Sequence, residues 1–144
     1  MQPFDKEYVC DIAKQILNID SPTGYTKRAI DFMDEEAKKL GYTTGRNQKG
    51  NLLIYVDGKD SEHTLGLSAH LDTLGLMVRS IKDNGKLAIT KVGGPCLPTL
   101  DGEYCKIYTR DGKVYTGTIL SCSPSVHPLP RMALLSRGRE EHAE

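Results

Sequence analysis

Residues 65–75 read Leu-Gly-Leu-Ser-Ala-His-Leu-Asp-Thr-Leu-Gly, and the character of the sequence changes within them. The apolar segment Thr64–Ala69 predicts a strand, and His70 and Asp72 follow directly at its end. On the N-terminal side of this stretch, helical patterns are followed by strand patterns. On the C-terminal side, strand patterns alone are found. We therefore place a domain boundary near Leu74.

Two amphipathic helices are predicted on the N-terminal side. The first carries an apolar stripe at helical spacing, formed by Val9, Ile12, Ala13, Ile16 and Leu17. Asp5 is a suitable N-cap for it. The second is predicted over Thr26–Leu40 and ends at Gly41, a typical terminator. Short strands follow over Tyr42–Thr44 and Asn51–Val56. Helices followed by strands favour a layered α/β domain.

Two β-hairpins are predicted on the C-terminal side, within residues 74–124. The dipeptide Asn84-Gly85 is the strongest short hairpin signal, and Asp111-Gly112 marks a second turn of the same style. The four strands are predicted over Leu76–Lys82, Lys86–Thr90, Tyr104–Thr109 and Val114–Leu120. This part of the chain therefore predicts an all-β module, a small barrel or sandwich.

The last twenty residues, 125–144, differ in composition from the rest. They hold three arginines and no lysine, whereas the first 124 residues hold twelve lysines and four arginines. They show no clear strand alternation. One interpretation is a flexible or loosely helical tail. The other is a tail that does not belong to the preceding sequence, as a frameshifted or truncated reading frame would produce.

Composition and charge exclude several classes of partner. The formal net charge is zero, so no general attraction to nucleic acid or to an anionic membrane is expected. No apolar run approaches the roughly 20 residues that span a bilayer, and the acidic N-terminus is not a secretory signal. The four cysteines match no structural zinc spacing, and we expect free thiols in a cytoplasmic protein. They lie at positions 10, 96, 105 and 122. The even number of cysteines leaves disulfide bonds open as the alternative.

The motif that carries chemistry is His70-x-Asp72. In open α/β sheets, ligands bind outside the carboxyl ends of strands, and neutral imidazole is a common zinc ligand. Residues two apart in an extended segment point to the same side, so Asp72 could hold the imidazole as a supporting carboxylate. By itself the motif is short. It is also compatible with a His and an Asp that cap a strand end and bond to nearby backbone.

Several blocks of the sequence resemble, in order, the glutamyl or deblocking aminopeptidase family, whose members form tetrahedral peptidase particles and were in some cases labelled endoglucanases. The resemblance covers about Asp5 to His127. The blocks that carry it are Ser21–Thr26, Lys49–Leu52, Ser68–Val78, Ile89–Gly94, Asp101–Glu103, Tyr115–Leu120 and Ser125–His127.

This resemblance implies a metal-dependent aminopeptidase that acts on peptide substrates. It implies that His70 binds one of two co-catalytic divalent ions, zinc or cobalt, and that Asp72 is the supporting carboxylate. Thr73 stands where many members have Glu, at a position that is not a ligand. The resemblance also implies that residues 1–73 are the N-terminal part of the catalytic α/β domain. Residues 74–124 are then the start of an inserted β-barrel-like domain, used to assemble a homo-oligomer.

The chain departs from the family pattern after His127. In the family, the bridging Asp, an adjacent Glu pair, a further carboxylate and a second His all lie downstream of the inserted domain. His127 and His142 do not match these positions and are not carried over as ligands. This departure favours the truncated-frame interpretation of residues 125–144. A catalytic zinc site needs three protein ligands, so we expect the 144-residue chain alone to bind zinc weakly and to be inactive.

Two other functions stay open at this stage. One is a non-catalytic assembly module, in which the β-rich stretch pairs subunits and His70 is incidental. The other is a related metallo-carboxypeptidase or deacylase, because those enzymes share the His-x-Asp motif. The start of a β-rich insert directly after the motif favours the aminopeptidase. The preferred N-terminal residue of the substrate and the physiological metal are not indicated by the sequence.

Overall fold

A computed structural model of the chain describes residues 5–60 and 62–121, together with the backbone of 132–135. The chain divides into two compact units, Met1–Thr73 (unit 1) and Leu74–Glu144 (unit 2). The division between them lies immediately after the His-x-Asp motif.

Unit 1 begins with two helices, and both were predicted. Helix α1 spans Lys6–Leu17 and helix α2 spans Lys27–Lys39. Asp5 caps α1, because its carboxylate accepts a hydrogen bond from the backbone N–H of Tyr8 at 3.0 Å. The predicted cap and the predicted positions of both helices are confirmed.

Helix α2 ends in a Schellman motif that satisfies its last carbonyl groups. Gly41 adopts a φ of +86°, a conformation that glycine reaches without the steric cost of a side chain. Its N–H donates to the Lys38 carbonyl at 2.9 Å, and the N–H of Tyr42 donates to the Ala37 carbonyl at 3.0 Å. The predicted terminator is therefore confirmed, and the chain leaves the helix in the direction of the first strand.

Two short antiparallel strands follow, β1 at Thr43–Arg46 and β2 at Leu52–Tyr55. Both were predicted to within two residues. Arg46, at the end of β1, makes ion pairs with Asp31 at 2.7 Å and with Asp34 at 3.1 Å. These two carboxylates lie one turn apart on α2, so the guanidinium links the helix to the small sheet.

The strand predicted over Thr64–Ala69 is not formed, and that prediction is wrong. Residues 64–69 belong to no helix or strand. Their leucines lie in solvent, with Leu65 85% and Leu67 91% exposed. The physical reason is that a strand exists only by hydrogen bonding to a neighbour. The described sheet of unit 1 contains β1 and β2 alone, and no strand among the described residues pairs with this segment.

Unit 2 contains the predicted hairpins. Its strands are β3 at Gly75–Ile81, β4 at Leu87–Val92, β5 at Tyr104–Tyr108, β6 at Val114–Ser121 and β7 at Met132–Leu135, with a 3₁₀ helix at Leu97–Leu100. The turn of the first hairpin is closed by a bond from the Lys82 N–H to the Lys86 carbonyl at 2.9 Å. The Thr109 N–H and the Lys113 carbonyl close the second, also at 2.9 Å. Both hairpins are confirmed.

The strands of unit 2 form one antiparallel sheet in the order β3-β4-β7-β6-β5. Strands β3 and β5 lie at its edges, and the described residues include no pairing between them. Closure of this sheet into a barrel therefore stays a prediction. A register shift between Val78 and Ser80 interrupts the pairing of β3 with β4, and such irregularities are common at sheet edges.

Strand β7 lies within the tail for which no strand was predicted. The expectation of a flexible or loosely helical segment is wrong at Met132–Leu135, because its backbone pairs with β4 on one side and β6 on the other. The run Met-Ala-Leu-Leu is continuously apolar and shows no alternation, so periodicity cannot distinguish it from other apolar segments. Residues 122–131 and 136–144 lie outside the described part of the chain.

Few apolar side chains are fully covered within the described residues. The buried apolar residues are Ala29, Ala37 and Ile119, and the described cysteines, at positions 10, 96 and 105, are free thiols. Cys122 lies outside the described residues. None of the helices in the described part of the chain has the length and apolar character needed to cross a bilayer.

Candidate metal centre

The His-x-Asp motif is held by a second segment that runs parallel to it. We name residues 21–23 together with 71–73 the clasp. Ser21 Oγ donates to the Leu71 carbonyl at 2.8 Å, and the Thr73 N–H donates to the Ser21 carbonyl at 2.9 Å. A parallel bridge joins Pro22 to Thr73. Ser21 is 1% exposed, so the clasp is anchored at a buried hydroxyl whose hydrogen bond is satisfied.

The Asp72 carboxylate is oriented by the clasp. Thr23 Oγ1 donates to Asp72 Oδ2 at 2.6 Å. This hydrogen bond is the main cause that lowers the pKa of Asp72 below its ordinary value of 3.8. Partial desolvation opposes the shift, and the neighbouring His70 lowers the pKa further. Asp72 is therefore an ionised hydrogen-bond acceptor at neutral pH.

The orientation of the His70 ring follows from its two neighbours. Its Nδ1 lies 3.1 Å from Asp72 Oδ1 and 3.2 Å from the Asp72 backbone carbonyl oxygen. An ionised carboxylate and a carbonyl only accept hydrogen bonds, so a neutral imidazole satisfies both by carrying its proton on Nδ1. Nε2 then presents a lone pair on a side chain that is exposed to solvent. This tautomer is the one that binds a metal through Nε2.

Within the described residues, the donors complete no metal site. No group of three His, Cys, Asp or Glu side chains with the spacing to hold an ion is found there. His63 pairs instead with Asp60, at 2.6 Å between Nδ1 and Oδ2, in an exposed loop. His127 and His142 lie outside the described part of the chain. The structure thus brings the side chains of His70 and Asp72 together.

Ser21 and Thr23 were not predicted as members of this site. Their local sequence, Ser-Pro-Thr-Gly, reads as a turn, and turn residues commonly use hydroxyl groups locally. The signal that could have found them is the Ser21–Thr26 block of the family resemblance, which contains both residues. Their partners lie about 50 positions away in the chain, and no local pattern encodes that distance.

Comparison with known proteins decides the family. The family model of the M42 glutamyl aminopeptidases matches residues 50–133, more than half of the chain. This range includes both His70 and Asp72.

The chain belongs to the M42 glutamyl aminopeptidase family.

Membership confirms the resemblance inferred from the sequence and the mixed α/β fold class. The family match also extends to residue 133, six residues beyond His127, the last residue of the resemblance found in the sequence.

Relatives and solved structures agree with this assignment. The protein YhfE of Bacillus subtilis, named as an aminopeptidase, is 40% identical over 130 residues, which are 90% of this chain and 38% of that protein. An aminopeptidase of the archaeon Desulfurococcus kamchatkensis is 25% identical with a TM-score of 0.81, over 93% of this chain and 38% of that one. The dodecamer PhTET1-12s is 26% identical with a TM-score of 0.69, over 90% of this chain and 40% of that one.

The chain therefore spans about two fifths of the length of the M42 relatives that it matches.

Proposed function

We propose that this chain is the N-terminal part of a metal-dependent aminopeptidase, in which His70 binds one of two divalent ions and Asp72 holds its imidazole. The observation that carries the proposal is the pair of acceptors facing Nδ1 of His70, because it leaves Nε2 free to bind a metal. Family membership supplies the reaction class, hydrolysis of N-terminal residues from peptides.

The described residues fit one ligand position of such a centre and do not fit a whole one. A catalytic zinc ion takes three protein ligands, and the described residues offer His70 with its supporting carboxylate. A bound pair of divalent ions would lower the pKa of water and polarise the scissile carbonyl. In this chain, Asp72 would fix the tautomer of His70, and the hydrogen bond from Thr23 would fix the orientation of the Asp72 carboxylate. We expect the chain alone to bind zinc weakly and to cleave nothing.

The two units have separate roles in this proposal. Unit 1 is the beginning of the catalytic α/β domain, and unit 2 is the inserted domain through which copies of the full-length protein assemble into a homo-oligomer. The dodecameric state of PhTET1-12s supports assembly. The edge strand β3 also presents apolar side chains to solvent at Met77, Val78 and Ile81, and such an edge favours pairing with another chain. We expect a cytoplasmic protein.

The proposal is tested with a chimera that joins residues 1–133 of this chain to the downstream part of the Bacillus subtilis relative. We expect the chimera to release p-nitroaniline from amino-acid p-nitroanilides in the presence of Zn²⁺ or Co²⁺, and the 144-residue chain to release none. In the chimera, His70→Ala removes a ligand and should abolish this activity. His63→Ala is the matched control, since His63 also pairs with an aspartate, but with Asp60 and not with the clasp residue Asp72.

Metal binding gives a second arm of the same test. Removal of divalent ions from the chimera with a chelator should abolish turnover, and added Zn²⁺ or Co²⁺ should restore it. Full activity of His70→Ala, at the level of His63→Ala, would overturn the proposal. Release of amino acids from the C-terminus of a peptide would instead favour a carboxypeptidase.

A non-catalytic assembly module is the second candidate function, and the five-stranded sheet of unit 2 is the observation that favours it. Assembly and catalysis separate experimentally, because the size of the chimera in solution should not depend on His70. An oligomer that forms normally but remains inactive with every metal tested would favour the assembly module.

A further inference from the structure

We infer that Thr23 is a positioning residue for His70, which it orients through the carboxylate of Asp72. This inference rests on the proposed function, since the orientation matters because Nε2 of His70 is to bind a metal. Among the described hydrogen bonds of the site, the Thr23 hydroxyl contacts Asp72 and not His70. Its hydroxyl acts on the far oxygen of the carboxylate whose near oxygen faces the imidazole.

The first step of the argument is geometric. Asp72 Oδ2 accepts from Thr23 Oγ1 at 2.6 Å, and Asp72 Oδ1 lies 3.1 Å from Nδ1 of His70. Each oxygen of the carboxylate therefore has its own partner. The terminal torsion of an aspartate is broad, so an exposed carboxylate with one partner rotates readily. The two partners together define one orientation of the group.

The second step separates positioning from simple support of the chain. The clasp has two other hydrogen bonds, from Ser21 Oγ to the Leu71 carbonyl and from the Thr73 N–H to the Ser21 carbonyl. Both involve the backbone and neither involves Thr23. Residues 71–73 therefore stay attached when the Thr23 hydroxyl is removed. Thr23 is exposed, whereas Ser21 is buried, so the fold depends on Ser21 more than on Thr23.

The third step concerns the imidazole. If the carboxylate turns away, Nδ1 of His70 keeps only the Asp72 backbone carbonyl as an acceptor, at 3.2 Å. The preference for a proton on Nδ1 then weakens, and a proton on Nε2 blocks the position that would bind a metal. Partners of this kind set both the tautomer and the direction of a ligating histidine. Loss of the Thr23 hydroxyl should therefore be visible at His70 without any metal.

The test uses the 144-residue chain labelled with ¹⁵N-histidine, at alkaline pH. Long-range ¹H–¹⁵N spectra distinguish the two tautomers, and the His70→Gln variant identifies the His70 signals. We expect the Nδ1–H tautomer in the unaltered chain. Thr23→Val, which is nearly isosteric, should shift the ring toward the Nε2–H tautomer, and Thr23→Ser should restore the original spectrum.

The matched control is Thr44→Val. Thr44 Oγ1 donates to Asp34 Oδ1 at 2.6 Å, the same length as the bond from Thr23. The charged partners of Asp34 among the described residues are Lys38 and Arg46, and no histidine is one of them. This control should leave the His70 tautomer unchanged. An unaltered tautomer in Thr23→Val, with amide spectra that show the folded chain, would overturn the inference.

A metal titration distinguishes failure of this inference from failure of the proposed function. In the chimera, Thr23→Val should weaken Zn²⁺ binding by about tenfold, the lower end of the effect of such supporting partners. Thr23→Ser should restore the affinity. A tautomer shift in Thr23→Val, with no change at the His70 Nε2 of the unaltered chimera on addition of Zn²⁺, would retain the positioning role and overturn the proposed metal site. If Zn²⁺ does bind at His70 in the unaltered chimera, an equal Zn²⁺ affinity of Thr23→Val would overturn the role of Thr23.

Discussion

The β3–β4 hairpin and residues 64–69 both have apolar sequences, but only the hairpin strands have a hydrogen-bonding partner among the described residues. Strand β3 pairs with β4 from Gly75 opposite Val92 to Ile81 opposite Leu87, across a turn of a few residues. Residues 64–69 have no strand partner among the described residues, and Leu65 and Leu67 remain in solvent. The difference teaches that apolar character alone does not make a strand.

The consequence is an unequal distribution of stability between the units. The sheet of unit 2 satisfies its own backbone groups through hairpins and through β7 between β4 and β6. Residues 64–69 of unit 1 pair with no strand among the described residues. We therefore expect substitutions of buried residues in unit 2 to lower its free energy of unfolding. Substitutions in residues 64–69 should have almost none until a partner is supplied.

The largest effect is expected for Ile119→Ala in β6. Ile119 is 4% exposed, and truncation of a buried isoleucine costs about 2–5 kcal/mol through lost burial and the cavity that remains. Leu120→Ala is the control, because Leu120 is the next residue on the opposite face and is 37% exposed. Urea unfolding, monitored by amide hydrogen exchange, would measure the stability loss of both variants. Equal losses for the two variants would show that unit 2 has no packed face.

A smaller loss is expected for Gly93→Ala, just after β4. Gly93 has a φ of +76°, and a Cβ there would lie 2.8 Å from Leu74 Cδ2. The methyl group of Leu74 can move, so the backbone conformation dominates the cost, about 1–2 kcal/mol. Gly94→Ala is the matched control, since its φ is not positive and its Cβ would meet no atom within 4 Å. Thermal unfolding should show no loss for Gly94→Ala, and a loss as large as that of Gly93→Ala would contradict the explanation.

The contrast between the two regions also explains how much of the fold could be predicted. Helix α1 and the β5–β6 hairpin carry their signals within a few residues, in the Asp5 cap and the Asp-Gly turn. A strand was wrongly predicted at residues 64–69. The apolar pattern is present there, but no described strand pairs with the segment. Strand β7 was missed for the opposite reason, since its unalternating sequence becomes a strand through neighbours that lie far away in the chain.

The site shows the same limit. His70 and Asp72 are two positions apart, so the sequence placed them on one side of the chain, and the structure brings them to 3.1 Å. Their roles in metal binding remain part of the proposal. Thr23 and Ser21 were not predicted because the clasp joins segments about 50 residues apart, and that register depends on tertiary structure.

The stability of unit 1 should depend on pH through Asp34, a carboxylate of helix α2 that is hydrogen-bonded and ion-paired within the unit. The hydrogen bond from Thr44 is the main cause that lowers the pKa of Asp34 from 3.8 to about 2, with Lys38 and Arg46 contributing. A lowered carboxylate pKa stabilises the folded state above the unfolded pKa, and this contribution is lost as the pH falls from about 4 to about 2. The urea midpoint of unit 1 should therefore decrease over this window.

Thr44→Val should raise the pKa of Asp34 toward its ordinary value and so make this decrease smaller. Asp34→Asn should remove the contribution of this group altogether. Far-UV circular dichroism at pH 7, 4 and 2.5 would measure the urea midpoints. A decrease between pH 4 and pH 2.5 that is the same in all three proteins would show that other carboxylates control the acid response of unit 1.

The smallest effect is expected for Leu67→Ala, and it tests the contrast directly. Leu67 is 91% exposed, so in the 144-residue chain the change should leave stability within about 0.5 kcal/mol. In the chimera, where downstream strands are supplied, the same change should cost about 2–5 kcal/mol, as for a buried leucine. Urea unfolding of both proteins provides the measurement. A loss above about 1 kcal/mol in the chain itself would mean that residues 64–69 already have a partner there, because an exposed leucine has no packing to lose.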